Sequence, residues 1–178
     1  MRRIVLIFVL TFTAVLTATA VTAVTASASL AAPASTPAST PVAATPAAPA
    51  GALTPAQAVR LVRERGYTPM GSSSYEPSWA LSAIVGRLTS SVDGHPQQAF
   101  FFNQGRFVGT DTVASANVRW VWSTSDTVAL QYDLYRPDDP MCCPSAGAAT
   151  VRFRWNGTAV QALDPIPTND WSAPSSRR

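Results

Sequence analysis

Residues 151–163, VRFRWNGTAVQAL, are the stretch that decides the fold class. Asn156 and Gly157 suit a two-residue type I′ turn, which joins two antiparallel strands into a hairpin. This turn sets apolar side chains opposite one another on a single face, whereas a slip of one residue would send them to the other face. The pairs predicted on that face are Trp155 with Thr158, Phe153 with Val160, and Val151 with Ala162. The stretch therefore predicts a β-hairpin with one buried face.

The segments before this hairpin also have the composition of strands. Five further strand segments are predicted, at residues 80–89, 99–102, 106–108, 118–122 and 128–134. The last two alternate in side-chain character with a period of two, as expected for half-buried strands. Residues 103–105, Asn-Gln-Gly, predict a tight hairpin between the second and third segments. Residues 93–96, Asp-Gly-His-Pro, predict a turn.

A short helix precedes the strands. Thr54 can cap it, Pro55 suits the first helical position, and Gln57 can complete a capping box. Gly66 is a typical C-terminal stop. A helix of about three turns needs a sheet to pack against. We therefore predict an α+β fold in which one short N-terminal helix packs on a curved antiparallel sheet of six or seven strands.

Residues 1–28 have the three parts of a secretion signal. Arg2 and Arg3 are followed by a long apolar run that ends in Ala26-Ser27-Ala28, small residues spaced as signal peptidase requires. The alternative is an uncleaved anchor helix, because the run is long enough to span a bilayer. Threonine and alanine dilute its second half, which favours cleavage. We therefore predict a secreted or cell-envelope protein with no stable membrane span after cleavage.

Three further segments follow the signal. Residues 29–53 are nearly all Ala, Pro, Ser and Thr, which predicts a disordered linker that acts as a tether, or alternatively a glycosylated stalk. Residues 54–170 have the length of one domain. Residues 171–178 are predicted to be a flexible tail.

The charge of the predicted domain excludes nucleic acid as its partner. Residues 54–170 contain nine arginines and ten acidic residues, so their formal charge is −1 although the sequence pI is about 9.3. A nucleic-acid-binding domain would need a basic stripe on its surface. The partner is predicted to be an envelope protein, a glycan or a lipid.

Cys142 and Cys143 are the two cysteines of the chain. Thiols of exported proteins tend to be oxidised. Neighbouring Cα atoms lie about 3.8 Å apart, below the range of about 4.4–6.8 Å usual for disulfides, so a bond between them is possible but strained. We predict this vicinal disulfide as a stiffener of the loop. The alternatives are an intermolecular disulfide, two reduced cysteines, or a redox or metal site.

No catalytic, cofactor-binding or metal residue is predicted. His95 is the single histidine and is interpreted as an exposed turn residue. Asp138 and Asp139 are interpreted as a turn, not as an acid/base pair, and residues 72–74 as a polar loop. An aromatic set is interpreted as mainly core, with a ligand or sugar site as the alternative; its members are Trp79, Trp120, Trp122, Tyr132, Tyr135 and Trp155.

Three stretches together resemble the LppP/LprE lipoprotein family of actinobacterial envelopes. They are residues 101–111, FFNQGRFVGTD, residues 133–145, DLYRPDDPMCCPS, and residues 151–157, VRFRWNG. The resemblance covers roughly residues 55–168 and implies an exported location without an established activity. Unlike the lipoprotein members, this chain has no cysteine at the end of the signal, so we expect a secreted form without a lipid anchor.

Three functions remain open from the sequence. The first is a non-enzymatic envelope domain that binds a protein, glycan or lipid. The second is an interaction or inhibitor module that uses the Cys142–Cys143 loop as its contact edge. The third is an enzyme of unrecognised type, which is disfavoured because no convincing catalytic cluster occurs.

Overall fold

The computed structural model describes residues 47–71 and 74–178. The predicted signal at residues 1–28 and the linker residues 29–46 lie outside the described residues. Within the described part, no helix is both long enough and apolar enough to cross a membrane.

The helix begins and ends where the sequence predicts. Helix α1 covers Pro55–Glu64, with Thr54 as its N-cap. The capping box is present, because the Gln57 amide donates to the Thr54 hydroxyl over 3.3 Å and the Thr54 amide donates to the Gln57 side chain over 2.8 Å. Gly66 follows the C-cap with a φ of 85°, a left-handed conformation that glycine adopts without strain.

Eight strands form two antiparallel sheets of four strands each. The first sheet has the order β1-β2-β3-β4, with β1 at Tyr67–Pro69, β2 at Ser82–Leu88, β3 at Gln97–Asn103 and β4 at Arg106–Thr110. The second sheet has the order β5-β6-β7-β8, with β5 at Val118–Ser123, β6 at Thr127–Asp133, β7 at Ala148–Trp155 and β8 at Val160–Ala162.

The predicted α+β class is correct, but the prediction of one curved sheet of six or seven strands is wrong. Both faces of strands β2 and β3 are buried. In a single sheet with one helix, only the face under the helix would be buried. Phe100 and Phe102 pack towards α1, whereas Phe101 between them packs towards the second sheet. Alternation within a segment identifies a strand but does not say which strand it pairs with, so the division into two sheets was not visible in the pattern.

The core therefore has two layers, one on each side of the first sheet. The layer between the sheets contains Phe101 and Phe153, whose ring centres lie 5.0 Å apart. The layer under the helix contains Phe100 and Phe102. Gly86 lets the helix approach, because a Cβ atom there would lie 3.2 Å from the Val62 side chain. The domain is thus a stack of helix, sheet and sheet.

The hairpin of residues 151–163 forms, but its predicted register is wrong by two residues. Phe153 pairs with Ala162 and Trp155 with Val160, so the loop has four residues and not two. The Asn156 side chain closes this loop by accepting hydrogen bonds from the amides of Thr158 (3.0 Å) and Ala159 (2.9 Å). A shift of two residues leaves every side chain on its original face, so the pattern of burial cannot detect it.

Both predicted disordered segments have residues that contact the domain. The Leu53 amide, within the predicted linker of residues 29–53, donates to the Gly105 carbonyl over 3.0 Å, and the Leu53 side chain packs on the core under the helix. In the predicted tail of residues 171–178, Ser176, Arg177 and Arg178 are buried. The guanidinium groups of Arg177 and Arg178 donate hydrogen bonds to carbonyl and hydroxyl oxygens of the domain. The composition of the segment does not reveal these contacts.

The carboxyl group of Asp111, a half-buried residue, lies at the edge of the core between the sheets. Asp111 accepts hydrogen bonds from the Tyr132 hydroxyl (2.7 Å) and the Ala99 amide (3.0 Å). Burial raises the pKa of Asp111 to about 6, although these hydrogen bonds act in the opposite direction. The folded protein therefore holds a proton on Asp111 more tightly than the unfolded chain does.

We predict that Asp111 makes the domain less stable at neutral than at mildly acidic pH. Its contribution is complete below about pH 4 and is lost as the pH rises through about 6, by roughly 1–3 kcal/mol in all. Asp111→Asn keeps an acceptor for Tyr132 and should flatten this loss between pH 5 and pH 7.5. Urea denaturation at pH 5 and at pH 7.5 measures the free energy of unfolding of both proteins.

The control variant Asp138→Asn removes an exposed carboxylate and should leave the pH dependence of the wild type in place. An unchanged pH dependence in Asp111→Asn would show that Asp111 is not the group responsible.

Candidate functional site

A cavity of about 350 Å³ lies where three loops meet residues 171–178, which we call the C-terminal segment. Its walls come from the loop before β3, the connection between β4 and β5, the loop between β6 and β7, and the C-terminal segment. The lining residues are Asp93, His95, Pro96, Ala114, Ala116, Met141, Trp171 and Arg178. The volume is within the range of about 300–1,000 Å³ typical of small-molecule sites.

The backbone brings the first two walls together. Ser115 forms an isolated antiparallel bridge with Gln97 at the start of β3, with N–O distances of 2.7 and 2.9 Å. This bridge places Ala114 and Ala116 beside the turn that carries His95. The Ala116 amide in turn donates to the Arg177 carbonyl over 2.9 Å and to the main-chain oxygen of Arg178 over 2.7 Å, which attaches the C-terminal segment to the same corner.

The Arg178 guanidinium forms part of the cavity wall and is only 7% exposed. It donates to the backbone carbonyls of Arg136, Pro137 and Asp139, and its central carbon lies 5.1 Å from the Tyr135 ring centre and 4.8 Å from that of Trp171. Its Nε atom is buried and has no acceptor among the described residues. The group thus carries a charge held only by carbonyl dipoles and ring faces.

His95 lies in the predicted turn, but it is half-buried and not the exposed residue expected from the sequence. Its Nδ1 atom is 2.8 Å from the Ala116 carbonyl oxygen. Because a carbonyl oxygen only accepts, Nδ1 must carry a proton, and Nε2 is the nitrogen left for another partner. Asp93, two residues earlier, accepts from the Ser91 hydroxyl (2.6 Å) and the His95 amide (3.1 Å), which lower its pKa.

The loop of residues 136–145, which we call the Cys loop, borders the cavity through Met141. Cys142 and Cys143 form a vicinal disulfide with Cα atoms 3.8 Å apart, and both residues are exposed. The Tyr135 hydroxyl donates to the Met141 carbonyl over 2.9 Å. The pairing predicted for the two cysteines is thus present at the rim of the cavity.

Asp139 holds the base of the Cys loop closed. Its carboxylate accepts from the Arg136 amide (2.7 Å), the Ser145 amide (2.8 Å) and the Ser145 hydroxyl (2.7 Å). These hydrogen bonds, that of the Arg136 amide first, lower its pKa. A carboxylate whose oxygens accept hydrogen bonds within the loop agrees with the interpretation of Asp139 as a turn residue.

A second, smaller cavity of about 200 Å³ lies at the exposed edge of β5. It is lined by Met70, Gly71, Ser74, Val85, Arg119 and Trp120. Arg119 is paired with Asp133 over 2.9 Å, so its charge is already compensated. The Ser74 hydroxyl donates to the Ala83 carbonyl. Ser72 and Ser73 of the predicted polar loop lie outside the described residues.

The interpretation of the aromatic set as mainly core is correct for two members and wrong for two others. Tyr132 and Tyr135 are fully buried, whereas Trp120 is 38% and Trp122 is 41% exposed. The reason is that β5 is an edge strand whose pairing is shifted between Trp120 and Trp122, which turns this part of the strand outwards. Residues 120–122, Trp-Val-Trp, are three consecutive large apolar residues. This run already indicated that the alternation of apolar and polar side chains is interrupted in β5.

Sequence reasoning missed the two residues that complete the larger cavity. Trp171 is 58% exposed and Arg178 is buried beside it, and both were assigned to a flexible tail. No local periodicity marks them, since they lie outside any helix or strand. Among the described residues, no group of three or more His, Cys, Asp or Glu side chains could hold a metal ion.

Comparison with known proteins confirms the family resemblance stated from the sequence. The family model described as LppP/LprE lipoprotein matches residues 73–158. A relative described as putative lipoprotein LprE, from Mycobacterium leprae, is 32% identical over 101 residues, which are 53% of this chain and 45% of that protein. The chain thus spans less than half of the length of that relative. No solved structure matches the chain.

We predict that Cys142 and Cys143 are bonded to each other in protein recovered from an oxidising compartment. The intact mass should be lower than that of the reduced chain by two hydrogen atoms, and iodoacetamide should label the protein only after reduction. Electrospray mass spectrometry with and without a dithiol measures both. Two labelled thiols in freshly isolated protein, or a disulfide-linked dimer, would contradict the pairing.

Proposed function

We propose that this chain, whose residues 73–158 match the LppP/LprE lipoprotein family, is a non-enzymatic binding domain of the cell envelope. The observation that carries the proposal is the cavity of about 350 Å³ in which Trp171 and Arg178 form one wall. The match to this family suggests an envelope protein and does not itself indicate an activity. The proposal therefore depends on the cavity.

The lining of the cavity favours binding over catalysis. It contains no serine, threonine, cysteine or lysine that could act as a nucleophile. His95 is the one residue with a ring nitrogen available for proton transfer, and Asp93 beside it is engaged by Ser91 and by the His95 amide. A general base without a nucleophile or an oxyanion site is a weak basis for an enzyme. The mainly apolar wall, with few polar groups, is typical of a ligand pocket.

The Cys loop offers a second contact surface next to the cavity. Arg178 fixes its start by donating to three carbonyls, Asp139 closes its base, and the disulfide lies exposed at its tip. A loop fixed before binding loses little conformational entropy when it meets a partner. This favours the interaction module predicted from the sequence as a second candidate, with the Cys loop as its contact edge.

We predict that ligands of the cavity depend on Trp171. Replacing it with alanine removes an exposed ring from the wall and should weaken binding by about tenfold or more, since an aromatic contact of this kind contributes about 1–3 kcal/mol. A thermal-shift screen of small molecules with the wild type and with Trp171→Ala measures this, and compounds that stabilise only the wild type identify the site.

Trp122→Ala is the matched control, because it also removes a half-exposed tryptophan but lies on β5, outside the lining of the cavity. The compounds that stabilise Trp122→Ala in the thermal-shift screen should be the same as those that stabilise the wild type. Hits that survive Trp171→Ala and disappear in Trp122→Ala would move the site to the β5 edge. Chemical conversion of a hit during incubation with the protein would refute the non-enzymatic proposal.

A further inference from the structure

We propose that the ligand of this cavity is a small organic anion with a flat apolar group, held by the charge of Arg178 and by the ring of Trp171. This inference rests on the proposed function and specifies the chemistry of its ligand. Four observations carry it: the unpaired charge of Arg178, the buried Nε atom without an acceptor, the exposed aromatic ring beside it, and the volume of the cavity.

The charge of Arg178 lacks the partner that other arginines of the domain have. Four arginines form ion pairs, namely Arg60 with Glu64, Arg119 with Asp133, Arg152 with Asp164 and Arg154 with Asp126. Arg178 is more deeply buried than any of these four, yet no carboxylate lies within ion-pair distance of it among the described residues. Arg177 is also buried without an ion pair, but its Nε atom donates to the Pro167 carbonyl and it does not line the cavity. A buried cation without an anion is costly, because desolvation is not offset by a counter-charge. An anionic ligand supplies that charge.

The hydrogen bonds of Arg178 show where the anion would bind. The two terminal nitrogens already donate to the carbonyls of Arg136, Pro137 and Asp139, which leaves Nε as the donor without an acceptor. Trp171 covers the guanidinium at 4.8 Å and is itself 58% exposed. In this proposal the exposed ring of Trp171 turns aside to admit the anion to Nε and then packs on the apolar part of the ligand.

The remaining polar groups of the wall are compatible with an anion. The Asp93 carboxylate is exposed and already accepts from the Ser91 hydroxyl and the His95 amide, so water screens its repulsion. His95 donates through Nδ1 to the Ala116 carbonyl, which leaves Nε2 for a ligand hydroxyl. Pro96, Ala114, Ala116 and Met141 supply the apolar surface. The cationic contact that the lining offers to an anion is therefore Arg178.

A matched set of probes tests the preference for an anion. 2-Naphthoate, 2-naphthyl phosphate and uncharged 2-naphthamide share one flat ring system and differ in charge. The shift of the Trp171 indole N–H resonance, assigned with Trp171→Phe, reports binding at the cavity. We expect 2-naphthoate to bind the full chain at least about tenfold more tightly than 2-naphthamide, since a hydrogen bond to a charged group contributes about 1.5–3 kcal/mol. The relative affinity of the phosphate distinguishes a carboxylate site from a phosphate site.

Variants of Arg178 test the residue assigned to the anion. Arg178→Gln should reduce the ratio of the two affinities to about one, whereas Arg178→Lys, which keeps the charge, should retain part of it. Arg106→Gln removes an exposed arginine outside the cavity and should leave the ratio unchanged. If Arg178→Gln does not fold, the wild-type ratio and its decrease at high salt decide the question.

The outcomes separate the inference from the proposed function. Equal affinities for 2-naphthoate and 2-naphthamide, both with shifts at Trp171, would keep the cavity as a binding site and refute its preference for anions. A ratio that survives in Arg178→Gln would assign the anion to another residue and overturn the role of Arg178. No shift at Trp171 with any probe would refute the inference, while the thermal-shift comparison of Trp171→Ala with Trp122→Ala judges the cavity separately.

Discussion

The burial of two neighbouring guanidinium groups, those of Arg177 and Arg178, holds together the end of this domain at which the larger cavity lies. Arg177 donates to the carbonyls of Val113 and Pro167 and to two hydroxyls in the connection between the sheets. Arg178 donates to the start of the Cys loop. Each guanidinium exchanges water for several protein acceptors, which limits the cost of its burial. The C-terminal segment thereby joins loops that follow β4 in the first sheet and β6 in the second.

This constraint also explains why a cavity exists where two sheets end. The core between the sheets closes around Phe101 and Phe153, and the cavity lies among the loops outside this core. The C-terminal segment covers the cavity with the buried cation of Arg178 and the exposed ring of Trp171, and not with buried apolar side chains. A well-packed apolar plug would stabilise the fold more simply, so the unpaired charge of Arg178 is the feature that favours a binding role.

Local signals in the sequence predict the elements of this fold but not their arrangement. Thr54, Gln57 and Gly66 determine the helix through contacts within one turn, and the period of two identifies β5 and β6. The division into two sheets and the register of the last hairpin depend on partners, and a shift of two residues leaves the pattern of faces unchanged. The disulfide between Cys142 and Cys143 was one of several possibilities that the sequence left open, because adjacency brings the two residues within reach but does not decide whether they are bonded. Trp171 and Arg178 were not predictable, since their roles arise only from tertiary contacts.

Amide hydrogen exchange over the C-terminal segment tests the central claim most directly. The amides of Ser176, Arg177 and Ala116 donate to Tyr135, Thr168 and the C-terminal segment respectively, over 2.7–3.0 Å. If the segment is anchored by its buried guanidinium groups, these amides should be protected to nearly the same degree as those of strand β6. Exchange at the rate of an unstructured peptide would show that the segment is free, and the cavity would then lose one of its walls.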